Sequence, residues 1–284
     1  MSTPDLTGKT LLITGANSGI GLIAAKALAR MGGEIVMICR SPDKGAAALA
    51  EVKAAAGHDR VRLVRCDLSS LASVRAAGAE LAALPRIDVL LNNAGAYNAE
   101  RRTTADGLEL TFGANHIGPF LLTQLLLERL KATGASRVIN VASAAHLGGK
   151  LVWDDLGYER RGYQALRAYC DSKLMNILFT RALARRLEGS GVVTHSLHPG
   201  AVATNFAVND TGAFAFLARI GSIFLLSPEQ GAATSIALCS EPAVGEKNGL
   251  YWSSRRPAWC GPQARDDEAA ERLWALSEEL VGRL

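Results

Sequence analysis

The feature that most constrains this chain is a repeat of short, unbroken apolar runs set between longer stretches of helical periodicity. The runs are TLLIT, EIVMIC, VRLVRC, IDVLLN, RVINVAS and VVTHSLH. A strand with one wet face alternates apolar and polar residues, whereas a strand covered on both faces reads as a continuous apolar run. Between the runs, residues 20–31, 43–56, 71–84, 119–131 and 169–187 carry apolar side chains at helical spacing. This pattern predicts an α/β, doubly wound fold, with a central parallel sheet of about seven strands and helices on both faces. The seventh strand is expected near residues 249–252, and right-handed crossovers are expected to place the helices on alternate faces. No linker rich in Gly, Pro or Ser divides the chain, so residues 1–284 are expected to form one domain. Residues 202–226 are read as an elaboration over the site, and residues 266–284 as a closing amphipathic helix whose acidic start suits the helix dipole.

Charge and cysteine usage narrow the functional classes. The net charge of +4 comes from scattered basic residues, without the Lys/Arg block of a nucleic-acid or membrane-surface tract. No nucleic-acid partner is expected. Cys39, Cys66, Cys170, Cys239 and Cys260 are odd in number and widely spaced, which points to free thiols in a reducing compartment and to the cytoplasm. The opening MSTPDLTGKT lacks the apolar core of an export signal. The most lipid-like stretch, residues 213–226, is short for a bilayer span and is interrupted by Arg219. It reads as a lid helix, with a membrane-surface helix as the alternative.

TGANSGIG, Thr14 to Gly21, lies between the first strand and the first helix. Gly15 permits a tight turn, Gly19 lets backbone approach a pyrophosphate, and Gly21 allows the helix to pack closely on the strand. This predicts a dinucleotide site; a bare strand-to-helix turn is the alternative. The second strand ends Cys39, Arg40, where a protein that prefers NAD places a carboxylate for the ribose hydroxyls. Arg40 instead suits a 2′-phosphate, so NADP(H) is expected over NAD(H). Asp67, at the end of the third strand, is either an adenine contact or a cap for the following helix.

Tyr169 and Lys173 are four apart in a helical stretch and so share one face. Ser143 follows the fifth strand and Asn115 lies in GANHIGPF. In doubly wound sheets, ligands sit beyond the carboxyl ends of the strands, where these residues fall. His146, His195 and His198 lack metal-ligand spacing, so they are expected to be hydrogen-bonded structural residues and no metal is expected.

Together TGANSGIG, NNAG (Asn92 to Gly95), Asn115, Ser143, Tyr169 with Lys173, and HPGAVAT (His198 to Thr204) resemble the short-chain dehydrogenase/reductase family over nearly the whole chain. TADGLELTFGANHIGPFLLTQLLLERL, AYCDSKLMNILFTRALARRL and AERLWALSEELVG are most similar to its retinol dehydrogenase group. Many retinoid enzymes of that group begin with a membrane anchor, which the opening residues do not show, so a membrane-embedded retinoid is not implied.

The resemblance implies Asn115, Ser143, Tyr169 and Lys173 as catalytic residues. It implies cofactor contacts at Gly15, Asn17, Ser18, Gly19, Ile20, Gly21, Arg40, Asp67, Leu68, Asn93, Ala94, Gly95, Tyr169, Lys173, Pro199, Gly200, Val202 and Thr204. Ser18 stands where some NADP-using members have a basic residue, so the cofactor preference rests on Arg40.

In the roles so implied, Tyr169 is the general acid or base, and Lys173 beside it is expected to lower the phenol pKa from about 10. Ser143 orients the substrate oxygen, and Asn115 supports a water path to Lys173. The insert with Trp153, Tyr158 and Tyr163 is expected to border the substrate. Phe206, Phe214, Phe216, Leu217, Ile220 and Phe224 are either a lid favouring a small apolar or aromatic carbonyl or alcohol substrate, or part of the core or a dimer contact. Reduction of a carbon–carbon double bond and non-catalytic NADP(H) sensing are the rival functions. Residues 119–131 and 169–187 are either faces for a homodimer or homotetramer or are covered within the chain.

Overall fold

The computed structural model describes residues 4–200 and 227–283. Eight strands form one sheet in the order β3-β2-β1-β4-β5-β6-β7-β8. They are β1 (Thr10–Thr14), β2 (Glu34–Cys39), β3 (Val61–Arg65), β4 (Val89–Asn92), β5 (Arg137–Val141), β6 (Val193–His198), β7 (Leu250–Ser253) and β8 (Arg256–Pro257). The first seven are parallel, as their two-sided burial predicts. The two-residue β8 pairs antiparallel with β7 and had no apolar run to announce it.

Helices α1 (Gly19–Arg30), α2 (Pro42–Ala56), α3 (Leu71–Ala82), α5 (Gly118–Thr133) and α6 (Ala165–Arg186) match the five periodic stretches to within a few residues. A short α4 (Leu110–Phe112), α7 (Pro228–Ser240) and α8 (Asp267–Arg283) complete the set among the described residues. The sequence reading missed α7, whose Ser227 and Gln230 form a reciprocal capping box.

The helices do not alternate between faces. One core packs α1, α2 and α7 on the sheet through residues such as Leu28, Val52 and Leu238. The other packs α3, α5, α6 and α8 through Val74, Phe120, Leu178 and Leu273. The strand order explains this difference. The chain builds outward from β1 to β3, then returns to the centre and builds the other way, so crossovers of constant hand put α1 and α2 on one face and α3, α5 and α6 on the other; α7, between β6 and β7, departs from this rule and lies on the α1 face. That reversal opens a crevice between β1 and β4 at their carboxyl ends.

Parts of α5 and α6 are packed within the chain, while Leu125 and Leu166 stay exposed. Gly78 of α3 lies so close to Leu125 that a Cβ there would fall 2.5 Å from its Cδ1. Trp274 of α8 stacks on Phe179 at 5.9 Å, and Arg181, Arg185 and Arg186 pair with Asp267 and Glu271. All five cysteines are free and buried. Among the described residues, no helix is long and apolar enough to cross a membrane. The expected lid, residues 202–226, lies outside the described residues.

Candidate active site

The glycine turn sits at the crevice. Gly15 and Gly19 have φ of +66° and +54°, a region that costs glycine little and other residues more. At Gly21 a Cβ would come within 2.5 Å of the Gly15 carbonyl, so helix and turn touch only because this side chain is missing. Ser18 makes no side-chain cap and the first turn of α1 has no acidic residue. The N–H groups there are therefore disposed to an anion such as a pyrophosphate. Asn93 ties the turn to the neighbouring strand end: its Nδ2 donates to the Thr14 carbonyl at 2.8 Å, and the N–H groups of Asn93 and Ala94 donate to Thr14 Oγ1. Asn17 is half-buried, Ser18 is exposed and Ile20 is half-buried along the same turn.

The Cys39 thiol lies against the backbone of Ala16 and Asn17, and burial pushes its pKa up to about 11. The next residue, Arg40, is thereby set at the rim of the turn, exposed to solvent. The Asp67 carboxylate takes the N–H of Ser69 at 3.0 Å and its hydroxyl at 2.6 Å, while Ser70 caps α3. Asp67 thus forms the turn before the helix without being its cap. Leu68 is buried, its carbonyl pressed against Gly118. Pro199 and Gly200 leave β6 with Gly200 at φ +87°, and the Gly200 N–H donates to His198 Nδ1 at 2.9 Å. Val202 and Thr204 lie outside the described residues.

The predicted catalytic side chains converge beside the same crevice. α6 has no Gly or Pro to interrupt it, and Tyr169, Lys173 and Asn176 recur at i, i+4 and i+7 along one stripe. The Lys173 ammonium lies 5.5 Å from the Tyr169 ring centroid and donates to the Val141 carbonyl at 3.0 Å. Asn176 donates to that carbonyl as well, at 3.2 Å. Gly95 closes on this group: a Cβ there would lie 3.1 Å from Lys173 Nζ and 3.8 Å from Asn115 Oδ1. A side chain at Gly95 would fill the cradle in front of the ammonium, so the gap suits a cofactor ribose.

Asn115 sits in a π-helical turn, Gly113–Ile117, between α4 and α5. Such a turn inserts one extra residue and re-aims the side chains it carries. Asn115 is fully buried; its Oδ1 accepts the Ala96 N–H at 2.7 Å, and its Nδ2 donates to Ala96 O at 2.8 Å and Ser172 Oγ at 3.0 Å. It therefore clamps the segment after β4 onto α6.

Ser143 begins a single 3-10 turn after β5, and its Oγ accepts the Ala145 N–H at 3.1 Å. Ser143 also shares a side-chain hydrogen bond with Tyr169. Burial pushes Tyr169 up to about 12 and Lys173 down to about 8. The expected depression of the phenol is thus not a property of the protein by itself. Desolvation outweighs the Ser143 hydrogen bond, and Lys173 contributes no shift.

Other contacts escaped the sequence reading. Tyr97 meets the Tyr169 ring edge-on at 6.1 Å. Asn92 bridges Thr123 and Asn140, and Asn140 donates to Thr180, making a buried polar ladder beneath the site. The asparagines that end VLLN and sit inside RVINV were its visible signs. The insert before α6 turns its aromatics inward. Tyr158 donates to Asp171 at 2.7 Å, Tyr163 donates to Asn98 O at 2.8 Å, and Trp153 packs beneath Arg272 of α8. These contacts hold the insert against α6, α8 and the segment after β4. His146, His195 and His198 are hydrogen-bonded structural residues, as expected.

Comparison with known proteins agrees with this geometry. The profile described as short chain dehydrogenase matches residues 9–212. The human protein named Retinol dehydrogenase 13 is 42% identical over 287 residues, covering 99% of this chain and 87% of its own. Human Retinol dehydrogenase 12 is also 42% identical, over 279 residues, covering 98% of this chain and 88% of its own. A crystal structure of a protein from Mycobacterium Paratuberculosis superposes with a TM-score of 0.81 at 34% identity, covering 99% of this chain and 96% of that one.

Proposed function

The chain belongs to the short-chain dehydrogenase family of oxidoreductases, similar to its retinol dehydrogenases, and from that premise we propose that it is an NADP(H)-dependent carbonyl reductase or alcohol dehydrogenase acting on a small apolar or aromatic substrate. The observation that carries the reading is the meeting of Tyr169, Ser143, Lys173 and Asn115 beside the Gly95 gap. The bound nicotinamide supplies or accepts the hydride.

The chain's own residues do the rest. Ser143 holds the substrate oxygen and the phenol in register, and Tyr169 delivers a proton to that oxygen. A phenol raised by burial keeps its proton at neutral pH and can donate it to the substrate oxygen. Lys173, seated at Val141 O, holds the nicotinamide ribose and supports the phenol's return to its protonated form. Asn115, fixed by Ala96 and Ser172, keeps the path to Lys173 open. Backbone N–H groups of the glycine turn hold the pyrophosphate, and Arg40 holds the 2′-phosphate. The aromatic ring of Tyr97 beside Tyr169 favours an apolar carbonyl compound.

The test is a panel of lipophilic aldehydes and ketones with NADPH, comparing wild type with Tyr169→Phe. The variant is expected to bind NADPH normally and to lose turnover by roughly 10²- to 10⁴-fold, the usual share of a general acid. Undiminished reduction by the variant rejects Tyr169 as the acid, and saturation of a carbon–carbon bond in the product rejects carbonyl reduction.

A further inference from the structure

Behind Ser143 lies a cluster of the buried His146 and Tyr251 and the half-buried His198 that the proposed reaction does not use. His146, in the same 3-10 turn as Ser143, is 3% exposed. Its Nε2 receives the N–H of Gly261 at 3.1 Å, and a backbone N–H can only donate. The ring proton therefore resides on Nδ1, which donates to the Ser143 carbonyl at 2.6 Å. The same carbonyl accepts the His146 backbone N–H at 3.1 Å, closing the turn that points the Ala145 N–H at Ser143 Oγ. Tyr251 meets the His146 ring edge-on at 5.1 Å and stacks with His198 at 6.4 Å.

We propose that His146 is a positioning residue whose neutral ring, bridging Gly261 to the Ser143 carbonyl, fixes the Ser143 hydroxyl toward Tyr169 and couples the segment after β8 to catalysis. The inference rests on the oxidoreductase reading above. It also makes the site sensitive to acid. A second ring proton would sit on Nε2 and oppose the Gly261 N–H, so the bridge exists only while the ring is neutral. Burial holds the His146 pKa below its ordinary 6.5, with no carboxylate contributing. The titratable groups around it are His198 on β6, Tyr251 on β7, Cys260 next to Gly261, and Cys170 on α6, whose Sγ lies by Gly148 of the same turn. His198 adds only like charge on acidification.

The experiment measures kcat and KM for NADPH-driven carbonyl reduction from pH 5 to 8 in wild type, His146→Asn and His146→Leu, with NADPH binding followed by fluorescence. Asn retains an N–H where Nδ1 stood and cannot titrate; Leu retains neither contact. At pH 7.5, kcat is expected to fall about tenfold in H146L, the worth of about 1.4 kcal/mol, and less in H146N, with KM for NADPH unchanged in both. The wild-type kcat is expected to fall only as pH drops through the His146 pKa, which lies below 6.5, and that fall is expected to vanish in H146N. An acid limb that persists in H146N overturns the proposal, as does an unchanged kcat in H146L. If H146L does not fold, H146N alone decides through its pH profile. A wild type that binds NADPH but turns over no carbonyl or alcohol rejects the oxidoreductase reading itself, and this proposal with it.

Discussion

Replacing Asp171 with Asn tests whether the insert before α6 is held by charge. Asp171 lies between Tyr169 and Lys173 on α6 and is 2% exposed. Its carboxylate accepts the Lys150 N–H at 2.7 Å, the Tyr158 hydroxyl at 2.7 Å and Arg161 Nη2 at 3.2 Å. The Arg161 guanidinium also lies 3.7 Å over the Tyr158 ring. Asn retains an acceptor for Lys150 but turns a donor toward Tyr158 or Arg161. A lost charge-assisted bond costs about 1.5–3 kcal/mol. The stranded guanidinium adds to this, while relief of the burial that raises the Asp171 pKa subtracts. Arg161 keeps some solvent contact and faces Asp155 at 3.7 Å, so the addition is small. The net expectation is a loss of about 2–3 kcal/mol, seen as a fall in Tm of roughly 4–12 °C at about 2–4 °C per kcal/mol. Adding Arg161→Gln should cost less in the D171N background than it does alone, because the two side chains share one ion pair. Thermal and chemical denaturation at pH 7 measure both quantities. Additive effects of the two substitutions, or a Tm shift of under about 1 °C for D171N, would refute the reasoning.

Two further outcomes follow from the buried and exposed cations. Arg40→Leu is expected to raise KM for NADPH about 10- to 100-fold, as loss of a charge-assisted contact does, and to leave KM for NADH unchanged; an equal change for both cofactors would show that Arg40 does not read the 2′-phosphate. His116 is fully enclosed, and its pKa is lowered to about 3 by burial. Its Nε2 reaches Ser277 Oγ at 2.9 Å. Above pH 6.5 the ring is neutral folded or unfolded, but below it the unfolded chain takes a proton that the folded one refuses. Stability should then fall by about 1.4 kcal/mol per pH unit from this group between pH 6.5 and about 3. His116→Asn should flatten that slope by one proton in acid denaturation; an unchanged slope would remove His116 as its source.

The fold was legible wherever burial alone determines sequence. Six strands announced themselves because a chain covered on both faces has no choice but Val, Ile and Leu, and β2 is buried along nearly its whole length. β8 was invisible because Arg256 and Pro257 are exposed and pair only at an edge. The face assignment failed for another reason. Periodicity reports that a helix has an apolar side, but which side of the sheet receives it depends on the strand order, and no residue of α3 encodes that β4 returns to β1.

The site divides in the same way. Gly15, Ser143, Tyr169 and Lys173 stood out as candidates because the proposed chemistry needs those residue types at strand ends and at helical spacing. What positions them is carried by residues with ordinary local roles: Ala145 and Ala96 offer only backbone groups, and Gly261 reaches Ser143 through His146, which is 115 residues from it. No pattern in sequence distinguishes such a donor from any other peptide. Asp171 and Tyr158 sit in the middle: a charge beside the reactive tyrosine on an otherwise apolar helix face invites a partner, yet only the fold brings the insert back to supply one. Reacting groups are therefore written in residue type, whereas their supports are written in topology. Substitutions such as His146→Asn and Asp171→Asn, which leave every reacting atom in place, are consequently the sharper probes of how this site is held.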